Sequence, residues 1–311
     1  MNYPYCSHSG LRNNRHALWR PRVHIRNVFV RIRGRFMLIA AGALSGALIL
    51  CSQAKADPFA LPGSEARVYR NLSPIPLQLY VFKPVGWTPG DHRTAFIWFF
   101  GGGFTIGTPH DSAAWANWAA SLGMVGVAPD YRVKDRFGTT PLEAVADGRA
   151  VVRWIEDHAA ELGVDPQRVV VGGISAGGLL ALWAAIRNPP PGSVAEESPR
   201  FKPAAVILSS PVSDMATSRF VSKYDAWALS PVHQLDAKMP AVLLFHGSGD
   251  QNVPYLKSVS LYERLAASGN LCEFVTIRGG SHNFVGDNPA YTPRTREITR
   301  LFLVEQRLIP K

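Results

Sequence analysis

The sequence predicts an α/β fold in which helices cover both faces of a mostly parallel central sheet. From about residue 94 to the C-terminus, short continuous apolar runs alternate with segments of helical spacing. Continuous apolar runs are typical of strands covered on both faces, and their alternation with helices is typical of parallel sheets. The predicted strand runs are 95–100, 124–128, 168–172, 204–208 and 241–245, and 271–277 is a further candidate.

Three further segments refine this architecture. Leu77, Leu79 and Val81 alternate with the residues between them, which predicts a half-buried strand before the parallel ones. The clearest helix spans 142–159, where apolar residues recur on one face. Residues 211–239 mix polar and apolar residues without a helical or strand period, and we interpret them as a small lid or a long connection.

The first 56 residues differ in composition from the rest of the chain. They contain nine Lys or Arg residues and no Asp or Glu, and their apolar stretch at 36–50 is followed by Ala54-Lys55-Ala56. A basic segment, a short apolar core and a small-x-small site are typical of a secretory signal peptide. We therefore expect residues 1–56 to be a leader cleaved after Ala56, and residues 57–311 to be exported to the periplasm or secreted.

Other interpretations of the leader remain open. An uncleaved leader would tether the protein to the inner membrane, although fifteen apolar residues are short for a span of about twenty. Cys51 is a weak lipid-anchor site, because Leu50 stands where such a site needs a small residue. Met37 offers a later start, since the residues before about 28 do not resemble an ordinary leader.

Charge and cysteine content exclude several classes of function for residues 57–311. This part has 24 basic and 23 acidic residues, so the sequence predicts no basic surface for nucleic acid. Cys272 is its single cysteine, which predicts no internal disulfide. Metal-binding and dinucleotide-binding spacings are absent, so we expect neither a metal nor a cofactor.

One short motif carries a candidate nucleophile. Ser175 lies in Gly173-Ile174-Ser175-Ala176-Gly177, between a predicted strand and a predicted helix. A serine nucleophile at such a turn adopts a strained backbone, and small neighbours let the strand and helix pack closely. The alternative is a glycine-rich helix start in which Ser175 is an ordinary N-cap.

A glycine run makes the nucleophile interpretation stronger. Gly101-Gly102-Gly103 directly follows the predicted strand 95–100. Glycines let backbone N–H groups face a ligand closely, as a loop that stabilises an oxyanion requires. We predict that the N–H groups of Gly102, Gly103 and Ala176 form an oxyanion hole.

A serine hydroxyl needs a base within hydrogen-bonding distance, and the base is held by an acid. Six histidines follow residue 56, and His233, His246 and His282 also follow Ser175. His282 comes after a glycine-rich loop behind the last predicted strand, which makes it the candidate base. His246 ends a strand, where a structural role is expected, and His233 lies in the segment that could be a lid.

The acid is expected between the serine and the base in the chain. Asp250 follows the 241–245 strand and precedes His282 by 32 residues. Its carboxylate would accept a hydrogen bond from His282 and stabilise the imidazolium formed during attack. Asp214 and Asp236 are the alternatives, and both are more typical of solvated loop residues.

From about residue 77 to the C-terminus the sequence resembles the bacterial esterase and lipase group of the α/β-hydrolase superfamily, which includes hormone-sensitive-lipase-like and acetyl-xylan-esterase-like enzymes. The resemblance implies an α/β-hydrolase fold with a small lid or none, a catalytic domain at 57–311, and structural positions for Asp130 and Asp147. The motifs that carry it are Phe99 to Phe104, Pro129 to Arg132, Asp147 with Trp154, Gly173 to Gly178, His246 to Asp250, and Gly280 to His282.

The sequence departs from this group at one position. Its members usually have His before the three glycines, where this chain has Phe100. That His is thought to order the loop and not to take part in the chemistry. Phe100 therefore leaves the backbone donors in place while changing what holds them.

The resemblance implies a serine carboxylic-ester hydrolase that acts through Ser175, His282 and Asp250. A short acyl group such as acetyl is expected because no large cap is evident, and export suggests a carbohydrate ester or another small ester. A serine exopeptidase of the same fold is the first alternative. A non-catalytic binding protein of this fold is the second, and the sequence leaves the oligomeric state open.

Overall fold

The structure is a computed structural model that describes residues 59–192, 198–216 and 223–311. The leader predicted at 1–56 lies outside these residues. The chain from residue 55 onward forms one compact unit. No helix in the described part of the chain combines the length and the apolar character that crossing a bilayer requires.

Eight strands of the described residues form one sheet in the order β1-β2-β4-β3-β5-β6-β7-β8. All neighbours from β4 to β8 in this order are parallel, whereas β2 is antiparallel to both β1 and β4. The predicted mostly parallel sheet is confirmed. The strands are β1 (Glu65–Arg70), β2 (Leu77–Phe82), β3 (Arg93–Phe99), β4 (Val125–Pro129), β5 (Val164–Ile174), β6 (Ala205–Ser209), β7 (Ala241–Gly247) and β8 (Cys272–Ile277).

Helices cover both faces of this sheet, as predicted. Along β3, Phe96 and Trp98 pack into an apolar cluster with α1 and α8, whereas Ile97 and Phe99 pack into a second cluster with α3, α4 and α6. Successive side chains of a strand point to opposite faces, so the two clusters lie on opposite sides of the sheet. The helices are α1 (His110–Ser121), α2 (Lys134–Phe137), α3 (Pro141–Asp157), α4 (Ala176–Ala185), α5 (Lys223–Ala228), α6 (Tyr255–Ala267), α7 (Phe284–Asp287) and α8 (Tyr291–Glu305).

The antiparallel edge of the sheet differs from the sequence prediction. The expectation of a half-buried β2 is wrong, because Tyr80 and Phe82 are as buried as the residues facing the other side. They pack with Leu61, Ala116 and Ala128 in a third apolar cluster. β1 was not predicted, since most of its residues are exposed and it has no apolar pattern.

The segment 211–239 contains α5 and a short 3-10 helix, Pro231–His233. The indole N–H of Trp183, on α4, donates to the Leu229 carbonyl at 3.0 Å, and the N–H of Val232 donates to the Ser213 carbonyl at 3.1 Å. The first bond joins the segment to α4, and the second joins two parts of the segment to each other.

The parallel register brings four loops to one edge of the sheet. Phe99 pairs with Gly173 at the ends of β3 and β5, and Gly247 pairs with Ile277 at the ends of β7 and β8. The carboxyl ends of parallel strands lie at the same edge, where folds of this class bind ligands. The glycine loop, the Ser175 turn and the loops with Asp250 and His282 all begin there.

Candidate active site

Ser175 occupies a strained turn between β5 and α4. Its φ is +56° and its ψ is −118°, a conformation that non-glycine residues rarely adopt. Backbone hydrogen bonds hold it there: its N–H donates to the Ser209 carbonyl at 3.0 Å, and its carbonyl accepts from Val212 at 3.0 Å. Its side chain makes no capping hydrogen bond to α4, so the ordinary N-cap interpretation is wrong.

The glycines beside Ser175 are required by close packing. A Cβ on Gly177 would lie 2.2 Å from the Phe99 carbonyl oxygen, and a Cβ on Gly173 would lie 2.5 Å from the Gly177 carbonyl carbon. Neither position has room for a side chain. The two glycines thus allow β3, β5 and the first turn of α4 to approach each other and hold Ser175 at the edge of the sheet.

His282 and Asp250 form a close pair. Nδ1 of His282 lies 2.7 Å from Oδ2 of Asp250, and the Asp250 side chain is fully buried. The other oxygen, Oδ1, accepts from the N–H groups of Asn252 at 2.8 Å and Val253 at 2.9 Å. Burial raises the pKa of Asp250, but the hydrogen bonds from His282 and from the two N–H groups outweigh it and bring that pKa below its ordinary value.

Ser175 and His282 line one open cleft of about 280 Å³, in which apolar surface predominates. A serine, an imidazole and a carboxylate so arranged can act as nucleophile, base and orienting acid. Ser175 is 8% exposed and lines this cleft. The residues lining the cleft are Gly101, Gly102, Ile106, Gly107, Asp111, Ile174, Ser175, His282 and Asn283.

The three predicted oxyanion donors have different positions. Gly102 lines the cleft, Gly103 lines a neighbouring cleft with Phe104 and Thr105, and Ala176 is fully buried at the start of α4. None of the described residues accepts a hydrogen bond from the backbone N–H groups of these three predicted donors. The N-terminus of α4 also directs its positive dipole end at the cleft.

An aromatic stack holds the glycine loop at Phe100. The Phe100 ring is fully buried and stacks on Tyr131, with ring centroids 4.0 Å apart. The Tyr131 hydroxyl donates to the Phe100 carbonyl at 2.8 Å, and a Cβ on Gly107 would lie 2.5 Å from the Phe100 ring. Phe100 therefore fixes the loop by packing, and the Tyr131 hydroxyl supplies the polar contact.

The alternative acids, Asp214 and Asp236, contact groups outside the Ser175 cleft. Oδ1 of Asp214 accepts from Ala216 N–H at 2.8 Å and from the Ser230 hydroxyl at 3.1 Å. Asp236 accepts from Arg187 N–H and lies 2.6 Å from Nζ of Lys202. Neither carboxylate lines the Ser175 cleft, and among the histidines of the described residues only His282 lines it.

Asp130 and Asp147 hold the fold next to the glycine loop. Asp147 has a fully buried side chain and binds the Arg132 guanidinium at 2.7 Å and Nε of Arg70 at 3.0 Å. Asp130 binds Arg136 at 2.6 Å. Their partners are arginines, so both residues occupy structural ion pairs.

Sequence reasoning did not find every residue near the site. Ile106 and Asn283 line the cleft, and Tyr131 bonds to the glycine loop. Nε2 of His246 lies 3.0 Å from Asp250 Oδ2, a contact that no sequence pattern indicated. Within the described ranges, no group of three or more His, Cys, Asp or Glu side chains could hold a metal ion.

Two comparisons with known proteins bear on the family. Residues 96–234 match a family described as the α/β hydrolase fold. The chain is 30% identical over 246 residues to an ethyl acetate hydrolase of Pseudomonas putida, covering 68% of this chain and 71% of that protein. The chain belongs to the α/β-hydrolase family. The fold and family inferred from the sequence are thereby confirmed.

Other α/β-hydrolases are similar over different lengths. A structure of esterase 2 from Thermogutta terrifontis with bound propionate has a TM-score of 0.73 and 35% identity, covering 80% of this chain and 97% of that chain. Further structures of that esterase contain butyrate or are phosphorylated by paraoxon. Carboxylesterase NlhH of Mycobacterium tuberculosis is 34% identical over 150 residues, and the match spans 43% of its length.

Proposed function

We propose that this chain is a serine carboxylic-ester hydrolase. The observation that carries the proposal is the shared cleft of Ser175 and His282, with His282 held at 2.7 Å by a buried Asp250. In the proposed mechanism the Ser175 hydroxyl attacks the acyl carbonyl while His282 takes its proton. His282 then gives this proton to the leaving alcohol. In the second half of the reaction His282 removes a proton from the water that attacks the acyl carbonyl and returns it to Ser175 Oγ as the carboxylic acid leaves.

Asp250 and the backbone donors have separate roles in this mechanism. Asp250 accepts the Nδ1–H of His282 and stabilises the imidazolium without itself becoming protonated. The N–H groups of Gly102, Gly103 and Ala176 are proposed to bind the oxyanion of the tetrahedral intermediate. Loss of one such donor in other serine hydrolases costs about 10²- to 10³-fold in kcat.

The acyl group is proposed to be short. The cleft of about 280 Å³ is small, with Ile106 and Ile174 on its wall. The similar proteins include an ethyl acetate hydrolase and an esterase with bound propionate or butyrate, which supports acyl groups of two to four carbons. We propose acetyl-type esters as the preferred class.

The alcohol is proposed to be a small molecule or an acetylated carbohydrate. The leader predicted at 1–56 would place the enzyme outside the cytoplasm, where polysaccharide esters occur as substrates. Acetylated xylan and acetylated monosaccharides test this proposal against simple alkyl acetates. Faster hydrolysis of the alkyl acetates would contradict the carbohydrate proposal and leave the mechanism intact.

The proposed function is tested by kinetics on p-nitrophenyl esters of increasing acyl length. The wild type should be fastest on acetyl to butyryl esters, and Ser175→Ala should lower kcat/KM by at least about 10³-fold. Ser121→Ala is the matched control, because the Ser121 hydroxyl donates to the carbonyl of Trp118 on its own helix. Faster turnover of peptides would favour an exopeptidase, and an inactive wild type would favour a binding protein.

A further inference from the structure

His246 lies against the same carboxylate oxygen of the proposed acid that His282 contacts. Its ring is fully buried at the end of β7, and its Nε2 lies 3.0 Å from both Asp250 Oδ2 and the Val253 carbonyl oxygen. Its Nδ1 lies 2.6 Å from the hydroxyl oxygen of Ser258, on α6. Every polar atom of the ring therefore has a partner.

These partners determine which nitrogen carries the proton. A carboxylate oxygen and a carbonyl oxygen only accept hydrogen bonds, so Nε2 of His246 must carry a hydrogen. Burial lowers the pKa of His246 below its ordinary value, which favours the neutral ring. Nδ1 is then an acceptor, and the Ser258 hydroxyl donates to it. The single Nε2–H of His246 then lies between two acceptors at 3.0 Å, the Val253 carbonyl oxygen and Asp250 Oδ2.

The same carboxylate oxygen thus has two imidazole neighbours. Oδ2 of Asp250 lies 2.7 Å from Nδ1 of His282 and 3.0 Å from Nε2 of His246, while Oδ1 is held by backbone N–H groups. Two uncharged residues also lie beside His246: the Tyr255 ring meets its ring edge-on with centroids 5.7 Å apart, and Thr276 pairs with it on β8.

We propose that His246 is a positioning residue that fixes the Asp250 carboxylate toward His282, with Ser258 setting its tautomer. The proposal rests on the proposed function, because positioning matters only where His282 acts as a base. A neutral donor suits this task, since it orients Oδ2 and leaves the negative charge available to the imidazolium. Without the Nε2–H, rotation of the carboxylate would weaken its bond to His282.

The test compares two substitutions of similar length. His246→Gln retains an N–H donor, whereas His246→Met has none. We expect His246→Met to lower kcat about 10- to 100-fold with KM changed less than about twofold, well below the roughly 10⁴-fold loss that follows removal of a triad acid's function. His246→Gln should remain within about threefold of wild type.

A matched control separates positioning from stability. His158→Met removes another histidine ring, which lies away from the cleft and stacks on Trp154 with ring centroids 3.8 Å apart, while its Nδ1–H donates to the Trp154 carbonyl at 2.8 Å. It should lower the thermal midpoint and leave kcat unchanged. An equal fall in kcat in His246→Met and His246→Gln would overturn the proposal, because only His246→Gln retains the N–H donor.

A second readout requires no substrate. The low-field proton resonance of His282 Nδ1–H reports its bond to Asp250, and it should persist in His246→Gln and shift or broaden in His246→Met. If His246→Met does not fold, Ser258→Ala serves instead, with an expected loss of about 3- to 10-fold in kcat and a smaller shift of the resonance. An unchanged resonance in His246→Met or in Ser258→Ala would overturn the positioning role. An inactive wild type would overturn only the proposed function.

Discussion

Oδ2 of Asp250 and Nδ1 of His282 lie 2.7 Å apart, although Asp250 precedes His282 by 32 residues in the chain. Their loops follow neighbouring parallel strands and are bonded to each other: Gly249 N–H donates to the Gly280 carbonyl at 2.9 Å, and Gly279 N–H donates to the Ser248 hydroxyl at 2.8 Å. The register of β7 and β8 therefore sets the geometry of the pair.

The Tyr131 hydroxyl should affect catalysis through the glycine loop. Tyr131→Phe leaves the Phe100 carbonyl without its donor, which should cost about 1–2 kcal/mol of stability. We expect kcat to fall about tenfold with little change in KM, because the loop then holds its N–H groups less firmly.

Tyr69→Phe is the matched control for this prediction. The Tyr69 hydroxyl also donates to a backbone carbonyl, that of Asp130 at 2.8 Å, but Tyr69 lies on β1 and does not contact the glycine loop. Denaturant unfolding should show that Tyr69→Phe loses about as much stability as Tyr131→Phe. Steady-state kinetics should show that Tyr69→Phe keeps the wild-type kcat. Equal kcat values for the two variants would contradict a specific role of Tyr131.

Gly177→Ala should disrupt the Ser175 turn. Its Cβ would lie 2.2 Å from the Phe99 carbonyl oxygen and 2.3 Å from that of Phe100, so β3 and α4 would have to separate. We expect a stability loss of more than about 3 kcal/mol and loss of esterase activity. Gly90→Ala, where no atom lies within 4 Å of the added Cβ, should change stability by less than about 0.5 kcal/mol. Thermal unfolding measures both, and a fully stable Gly177→Ala would contradict the packing described.

The lowered pKa of Asp250 predicts a pH-dependent contribution to stability. A carboxylate whose pKa is lower in the folded than in the unfolded state contributes stability that is fully present above the unfolded value of about 3.9. This contribution is lost as the pH falls through the folded value. Unfolding free energies of wild type and Asp250→Asn should differ by a constant amount above about pH 5 and converge below about pH 4. A difference that grows toward acid pH would contradict the direction of the shift.

The predicted leader is tested by the mass and location of the mature chain. We expect the expressed full-length chain to be cleaved after Ala56 and to appear in the periplasmic or secreted fraction as residues 57–311. N-terminal sequencing of that fraction should begin at Asp57. Full-length chain in the inner-membrane fraction would instead support a tethered form.

Much of the fold could be predicted because buried parallel strands leave a strong sequence pattern. Continuous apolar runs predicted β3 through β7, and 271–277 was a further candidate for the strand that is β8. The glycines around Ser175 followed from the shape of a strand-to-helix turn, and the order of Ser175, Asp250 and His282 followed from the resemblance to α/β-hydrolases. The carboxyl ends of parallel strands lie at one edge of the sheet, so the loops that carry these three residues could be predicted to lie near each other.

The remaining features depend on contacts that no local pattern encodes. β1 is mostly exposed, so it lacks an apolar signature, and Tyr80 is buried only because α1 packs over it. The stack of Phe100 on Tyr131 joins loops after different strands. The contact of His246 with Asp250 depends on how the loop after β7 turns back on the strand end.

The most direct test of the nucleophile is covalent labelling with paraoxon, which phosphorylates a similar esterase. Peptide mass analysis of the labelled full-length chain should find one diethylphosphoryl group, on the peptide that contains Ser175, in proportion to the loss of acetyl-ester hydrolysis. Labelling at another residue, or hydrolysis that persists when Ser175 is fully modified, would contradict its role as the nucleophile.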